Sequence, residues 1–170
     1  MDWLDIKEFI KDTIKYILFI VIVLIVAIYV VGLQQIVGSS MEPTLKNGDV
    51  IIIDKLSTNF KRGDVVSFYY DETKFLIKRI IGMPGETVEI TESKIYINGK
   101  VIDDYIENTN MFDFSLKQLG YDKIPDDYYF VMGDNRNYSY DSRMFGLVHK
   151  DDIIGKNVIR LWPLFRIKER

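Results

Sequence analysis

Two residues of the chain have the chemistry of a nucleophile and a base, Ser40 and Lys78. Ser40 lies in the stretch VGSSMEPTLKNGDVIIID, and Lys78 lies in FLIKRIIG. A serine hydroxyl is inert until a base removes its proton, and a Ser-Lys pair is a known variant of the Ser-His-Asp triad. A lysine that is buried among apolar side chains can serve as that base, because desolvation can lower its pKa by up to about 3–5 units. The competing interpretations are a serine that bonds the backbone of a turn and a lysine that extends to water.

The strand pattern of FLIKRIIG separates its two basic residues. Successive side chains of a strand alternate, so Lys78 and Arg79 are expected on opposite faces, each between aliphatic neighbours. Arg79 cannot act as the base, because a guanidinium does not lose its proton in proteins. Next to Ser40, the small Gly38 and the turn at Pro43 are expected to expose backbone N–H groups, as an oxyanion hole requires.

A third stretch, MGDNRNYSYDSRMFG at residues 132–146, is dense in Gly, Asn, Asp and Ser. Such a composition is typical of a solvated loop with Asx turns. A solvated loop does not need Arg136 and Arg143 interleaved with Asp134 and Asp141, however. This interleaving favours a loop that is held by ion pairs and hydrogen bonds, as the support of an active site would be.

Composition excludes several other kinds of site. Lys+Arg 22 against Asp+Glu 25 gives a net charge of −3, so no basic surface indicates nucleic-acid binding. The chain has no cysteine and one histidine, which excludes thiolate chemistry and multi-histidine metal centres. We therefore expect no metal and no organic cofactor. A hydrolase built on His149 would need an orienting carboxylate, but Asp151 and Asp152 are so close in sequence that they predict a turn.

Residues 16–33 (YILFIVIVLIVAIYVVGL) form an apolar run without a charge, and its length is within the roughly 17–25 residues that span a bilayer as a helix. A cleaved signal peptide and a buried core helix are the alternatives, but no A-x-A-like cleavage signal follows the run and it has no polar face. Three lysines precede it and the next basic residue is Lys46, so the positive-inside rule places the N-terminus in the cytoplasm. We predict a short cytoplasmic segment 1–15, a transmembrane anchor 16–33 and an extracytoplasmic domain 34–170.

The remainder of the chain predicts a mainly β, antiparallel domain after the single transmembrane helix. Asn98-Gly99 between two short strands is a strong signal of a type I′ hairpin. Residues 103–127 are polar and irregular, as in an inserted loop or lid. Residues 160–170 combine aromatic rings with basic side chains, which suits either a surface on lipid headgroups or a solvated tail. The predicted strands are 49–54, 64–70, 75–81, 87–90, 94–102, 128–132 and 153–161.

The motifs GSSMEPTL, RGDVVSF, IKRIIGMPGE and MGDNRNYSYDSRMFG follow the apolar segment in this order. Together they resemble those of the bacterial type I signal peptidases, or leader peptidases, over roughly residues 36–165, with 103–127 as a variable inserted segment. The resemblance implies the β fold shared by signal peptidases and repressor-type proteases. It also implies a membrane-bound serine endopeptidase that removes N-terminal signal peptides from exported preproteins at A-x-A-like sites.

The resemblance also implies roles for individual residues. Ser40 would be the nucleophile that forms an acyl-enzyme, and its amide would be one oxyanion donor. Lys78 would be the general base, and Ser139 would hydrogen-bond and orient it. The ion-paired support of the site would comprise Asp134, Asp141 and Arg143.

Two positions of the sequence differ among members of the family. Some members carry a serine where this chain has Gly38, and the hydroxyl of that serine is their second oxyanion donor. The sequence therefore does not identify the second oxyanion donor of this chain. Eukaryotic relatives use histidine at the position of Lys78, so lysine indicates the bacterial branch and makes His149 dispensable.

Shallow apolar pockets beside an edge strand would bind the small residues of the cleavage site. The candidates for these pockets are Ile36, Met41, Leu45 and Ile77.

The implied partners are signal peptides and membrane lipid, together with the secretion translocase, beside which such an enzyme would work. The implied location is the cell membrane, with the catalytic domain on the extracytoplasmic face. A repressor-type self-cleaving Ser-Lys protease would carry a DNA-binding segment where this chain has an apolar run. A membrane-anchored β-domain that binds extracytoplasmic peptides without cleaving them is the alternative from another class.

Overall fold

The fold begins with a long apolar helix. The structure, a computed structural model, describes residues 3–71, 74–103, 106 and 110–162. Helix α1 spans Trp3–Ile25 and continues as a π-helical turn over Val26–Val30. The stretch Asp5–Val30 is long and apolar enough to cross a membrane, and none of its most apolar window is buried against the rest of the chain. An unburied apolar helix of this length is the form expected for a bilayer span.

Strand β1 (Val31–Gln35) begins directly after the helical run. Residues 31–33, which the sequence assigns to the anchor, therefore lie in a strand instead of a helix. Two contacts of Lys55 hold this junction: its amide donates to the carbonyl of Val30, and its ammonium donates to that of Ile28, both at 3.1 Å. The chain thus passes from helix to sheet without a linker.

The described part of the chain forms two antiparallel sheets. The larger has the order β1-β2-β11-β3-β4-β9-β10, and the smaller has the order β7-β6-β5-β8. This arrangement confirms the predicted mainly β fold. The bounds after β1 are β2 Val50–Asp54, β3 Val65–Tyr69, β4 Phe75–Gly82, β5 Val88–Thr91, β6 Lys94–Ile97, β7 Lys100–Val101, β8 Phe114–Ser115, β9 Tyr128–Met132, β10 Val148–His149 and β11 Ile153–Trp162.

The β6–β7 hairpin turns at Asn98-Gly99, as the sequence predicts. Both residues have positive φ angles, 51° and 75°, which a type I′ turn requires. Asn tolerates this region better than most residues, and Gly adopts it without steric cost.

The described part of 103–127 differs from the predicted irregular loop. It contributes β8, a 3₁₀ turn at Leu116–Leu119 and four side chains of the hydrophobic core. Its apolar residues have no regular spacing, which is why the sequence pattern does not reveal them. These core residues are Met111, Phe114, Leu116 and Ile124.

Candidate active site

Ser40 and Lys78 come together although 38 residues separate them. The Nζ atom of Lys78 lies 2.6 Å from Oγ of Ser40, within hydrogen-bonding distance. Ser40 lies in the turn that follows β1, and Lys78 lies in the middle of β4. The sheet thus positions the lysine, and the first turn of the domain positions the serine.

Lys78 is one of the most buried polar residues of the domain, with only 2% of its surface exposed. It pairs with Val66 across β3 and β4, and Ile77 and Ile80 on its own strand are also buried. Burial lowers the pKa of Lys78 from 10.5 to about 8, and the positive charge of Arg143 acts in the same direction. The negative charge of Asp141 raises the pKa and limits the shift. A substantial fraction of Lys78 is therefore neutral, and able to accept a proton, in mildly alkaline solution.

The turn that carries Ser40 is fixed by hydrogen bonds on both sides. The amide of Gly38 (φ 96°) donates to the side-chain carbonyl of Asn47 at 3.0 Å. The backbone amide of Asn135 donates to the carbonyl of Ser40 at 3.0 Å, and its side-chain amide donates to that of Ser39 at 3.1 Å. Asn135 is a positioning residue that sequence reasoning missed, because an Asn in a loop rich in Asn gives no distinguishing signal.

The loop 132–146 is pinned by a buried ion pair between Asp141 and Arg143. Arg143 donates from Nε and Nη2 to the two carboxylate oxygens, at 2.8 and 2.7 Å. The same carboxylate accepts from the amides of Gly133 and Arg143, and Arg143 also donates to the carbonyl of Arg136. Asp141 is the N-cap of the short helix α2 (Ser142–Phe145). Four donors on one buried carboxylate fix the position of this loop.

A second buried ion pair ties the loop to the strand of the base. Asp134 receives hydrogen bonds from Nε and Nη2 of Arg79, at 2.8 and 2.6 Å, and Arg79 also donates to the carbonyl of Gly63. Arg79 is the neighbour of Lys78 on β4, so this pair fixes the strand next to the base. The sequence indicates charge pairing within the loop, but not this partner for Asp134.

Ser139 lies in the same loop, and its hydroxyl oxygen is buried without a hydrogen-bond partner among the described residues. The structure therefore does not contain the hydrogen bond to Lys78 that the resemblance implies. A Cβ atom at Gly133 would overlap both the Ser139 hydroxyl and the Ser40 carbonyl oxygen. Both groups therefore occupy the space where a Cβ atom would lie, and only glycine fits at this position.

A cleft of about 340 Å³ opens beside Ser40. Three of the four predicted pocket residues line it, namely Ile36, Met41 and Ile77. Leu45 does not line it, although it packs in the same buried cluster as the other three. Besides Ser40, the cleft is lined by further residues that the sequence pattern does not indicate: Gln35, Val37, Lys74, Phe75 and Leu76.

His149 belongs to a separate turn. Its Nδ1 atom accepts a hydrogen bond from the amide of Asp151 at 3.2 Å, which caps a short 3₁₀ turn, and its ring packs against Tyr128. This is the local turn that the sequence predicts at this position. Among the described residues no group of three or more His, Cys, Asp or Glu side chains could hold a metal ion.

Comparison with known proteins gives consistent results across the chain. The family described as "Signal peptidase, peptidase S26" matches residues 7–162. Signal peptidase IB of Staphylococcus aureus is 36% identical over 179 residues, covering 95% of this chain and 94% of its own length. Signal peptidase I of Leptolyngbya laminosa is 38% identical over 163 residues, covering 88% of this chain and 78% of its own length.

The fold also matches a solved structure. The crystal structure of a signal peptidase I from Enterococcus faecalis V583 has a TM-score of 0.53 and 34% sequence identity. The match covers 58% of this chain and 96% of that one. A family match of this length, together with these relatives, shows that the chain belongs to the signal peptidase I family of serine endopeptidases.

Proposed function

We propose that this enzyme removes signal peptides from exported preproteins by a Ser-Lys dyad mechanism and cleaves after A-x-A-like sequences. The observation that carries this proposal is the 2.6 Å contact between Lys78 Nζ and Ser40 Oγ, with the lysine buried and its pKa lowered to about 8. A buried lysine beside a serine hydroxyl has the geometry of a general base and its nucleophile.

In the first half of the reaction, neutral Lys78 removes the proton of the Ser40 hydroxyl. The oxygen attacks the carbonyl carbon of the scissile peptide bond, and the carbonyl oxygen becomes an oxyanion. When this intermediate collapses, the peptide C–N bond breaks, and the ammonium of Lys78 gives its proton to the leaving amine of the mature protein. Ser40 then carries the signal peptide as an ester.

In the second half, Lys78, again neutral, removes a proton from a water molecule. The resulting hydroxide attacks the ester, and Lys78 returns the proton to the Ser40 oxygen as the signal peptide leaves with a free carboxylate. One group thus serves as base and acid in both halves, which requires a pKa near the working pH.

We assign the Ser40 amide as one donor to the oxyanion. The Gly38 amide is a poor candidate for the second donor, because it already donates to Asn47. We further propose that the Ser139 hydroxyl orients Lys78 during the reaction. Its burial without a partner supports this role, since an unsatisfied buried hydroxyl has a free-energy cost of about 1–3 kcal/mol unless a partner becomes available.

The substrate is proposed to bind as an extended strand in the cleft beside Ser40. Residues 35–37, at the end of β1 and directly after it, form one wall, and the first half of β4 forms the other. Strand β4 pairs with β9 only from Arg79 onwards, so within the described residues the edge at Phe75–Lys78 has no strand partner on that side. A peptide can add to such an edge by backbone hydrogen bonds, and the shallow apolar cleft suits the small side chains of an A-x-A sequence.

We also propose that α1 anchors the enzyme in the cell membrane, with the catalytic domain on the extracytoplasmic side. The apolar stretch Asp5–Val30 and the lysines that precede its most apolar part support this orientation. In this location the enzyme would contact lipid and work beside the secretion translocase. Residues 163–170, most of the segment 160–170 that suits either lipid contact or a solvated tail, lie outside the described residues.

Cleavage of a purified preprotein with an A-x-A site, in detergent or lipid, tests the proposal. We expect the wild type to cut after A-x-A, Ser40→Ala and Lys78→Ala to lose activity, and His149→Ala to retain it. An acyl-enzyme trapped on Ser40 and seen by mass spectrometry would identify the nucleophile directly. Binding of the signal peptide without cleavage by the folded wild type would instead support a peptide-binding domain.

A further inference from the structure

A second cavity, of about 430 Å³, lies where the helical run meets the larger sheet. Ala27 and Ile28 of the π-helical turn form one side of it, and Leu33, Tyr69 and Phe75 of the sheet form the other. We call this cavity the junction groove. It lies at the end of the segment that can cross a membrane.

The junction groove is continuous with the cleft at Ser40. Phe75 lines both, and Gln34 of the groove is followed directly by Gln35 of the cleft. Along β1 from Gln35 back to Val31, and along β4 from Lys78 back to Phe75, the chain leads away from the dyad and towards the groove. A peptide strand that leaves the dyad between these two walls is therefore directed into the groove.

The groove is largely apolar and open. Ile28 is 60% exposed, Leu33 68% and Tyr69 55%, so a considerable apolar surface has no partner in the described chain. Lys55 is the one charged side chain among its lining residues, and its ammonium is held by the carbonyl of Ile28. A continuous exposed apolar surface of this kind marks an interaction site.

We propose that the junction groove binds the apolar segment of the signal peptide that precedes the cleavage site. This inference rests on the proposed function, because it takes the cleft as the binding site of the scissile sequence. A signal peptide carries its apolar core on the N-terminal side of its cleavage site. The groove offers an apolar surface at the same relative position, on the membrane side of the dyad.

The length of β1 predicts which residues of the signal peptide reach the groove. Its five residues span about 17 Å at roughly 3.3 Å per residue. An extended peptide covers this distance with about five residues of its own. Because β1 itself lines the groove, the peptide enters the groove within this distance, and residues about six to nine positions before the scissile bond are expected at its far end, beside Ala27 and Ile28.

A kinetic comparison tests this inference with a matched pair of variants. Leu33→Lys introduces a charge into the groove, and Leu56→Lys introduces the same charge at a residue outside it, with 68% and 64% exposure respectively. Two substrates are needed, a full preprotein and a short peptide that begins at the A-x-A sequence and so ends before Leu33. We expect Leu33→Lys to lower kcat/KM for the preprotein by about tenfold more than for the short peptide, because an ammonium in the groove opposes binding of apolar side chains. Leu56→Lys should change the two values equally.

Cross-linking gives an independent test, and the absence of cysteine from the chain makes it clean. Ile28→Cys and Tyr29→Cys are neighbours with similar exposure, and only Ile28 lines the groove. Each is placed in the Ser40→Ala variant, which retains the substrate, and is oxidised with a preprotein that carries one cysteine eight residues before the scissile bond. We expect a disulfide cross-link at Ile28→Cys and little at Tyr29→Cys.

The two proposals fail in different ways. The inference about the groove would be overturned by two results together. These are equal cross-linking at both positions and a ratio of kcat/KM for the preprotein to kcat/KM for the short peptide that is the same in Leu33→Lys as in the wild type. Ser40-dependent cleavage by the wild type would leave the proposed function intact in that case. If the wild type does not cleave the preprotein, the proposed function itself fails, and the inference about the groove fails with it.

Discussion

Arg79 and Asp134 form a two-point ion pair on the face of β4 opposite to Lys78. Nε and Nη2 of Arg79 donate to the two carboxylate oxygens at 2.8 and 2.6 Å, and Asp134 is fully enclosed. Lys78 and Arg79 are adjacent, so one strand carries the proposed base on one face and binds the supporting loop on the other. This pair links the position of the base to the position of the loop that carries Ser139.

Arg79→Gln is expected to lower the free energy of unfolding by about 3–5 kcal/mol, because Asp134 then loses its ion pair inside the protein. Urea unfolding followed by circular dichroism measures the change. Arg62→Gln is the control, since its pair with Glu86 is partly exposed, with side chains 26% and 19% accessible, and should contribute less. If the two variants lose the same free energy of unfolding, the burial of Asp134 does not make its ion pair more stabilising than the partly exposed one.

The activity of the enzyme is expected to rise with pH and to level off above about 8. The base must be neutral, and burial holds the pKa of Lys78 at about 8, so the neutral fraction grows through this value. The pH dependence of kcat/KM for preprotein cleavage measures it. A rising limb near 10.5, the ordinary pKa of lysine, would contradict a desolvated base.

The same shift predicts a rise of stability with pH. Between pH 8 and 10.5 the unfolded chain keeps the proton of Lys78 while the folded protein has lost it. The unfolded state therefore binds more protons, and the free energy of unfolding increases over this range, by up to roughly 3 kcal/mol. Below pH 8 the cost of the buried charge is present in full.

Lys78→Met separates the contribution of Lys78 to the pH dependence of stability from the contributions of other groups that titrate in the same range. Methionine has a similar length and no charge, so the variant should be inactive yet more stable than the wild type at pH 7. The difference in unfolding free energy between the two proteins should shrink as pH rises from 8 to 10.5. A difference that is constant with pH would indicate that Lys78 is not shifted.

Asp141→Asn is expected to move the rising limb of the activity profile to lower pH. The negative charge of Asp141 raises the pKa of Lys78, whereas the nearby Arg143 lowers it, so removal of the carboxylate favours the neutral lysine. The variant should also lose about 3–5 kcal/mol of stability, because Arg143 loses its buried partner. The profile is measured well below the melting temperature of the variant, and a limb that moves to higher pH would contradict the assigned charge effect.

Ser139→Ala tests whether this hydroxyl orients the base. If it does, kcat should fall by about tenfold or more with little change in KM, and the pH of the rising limb should shift. Ser142→Ala is the control, because the Ser142 hydroxyl accepts from the amide of Val131 and so contributes to stability. We expect Ser142→Ala to unfold more easily but to keep the pH profile of the wild type.

Most strands of the domain could be predicted from the sequence because the residue patterns that indicate them are local. Runs of β-branched residues between Gly and Asn turns predict β2 to β4, and Asn98-Gly99 predicts the hairpin that the structure contains. Strand β1 was missed because Val31-Gly32-Leu33 continues an apolar helical run without any break. Its strand conformation comes from pairing with β2, which is a tertiary effect.

The proximity of Ser40 and Lys78 could be predicted for a different reason. Each residue alone also fits an ordinary alternative, a serine in a turn or a lysine that extends to water, and only the ordered set of motifs assigns both to one reaction and so predicts that they lie together. The side-chain directions around them do not follow from residue type. Leu45 packs into the core instead of the cleft, and Asp134 pairs with Arg79 of another strand, because the path of a turn depends on the whole fold.

The absence of a linker between the helical run and β1 restricts the position of the β domain relative to the end of the helix. Val31 follows the last helical residue and is already paired with Asp54, so the sheet cannot rotate freely about the end of the helix. If α1 spans the membrane as proposed, Ser40 is held at one height above the lipid surface. The enzyme would then select cleavage sites by their distance from the membrane as well as by their sequence, and bonds at other heights in exported proteins would be spared.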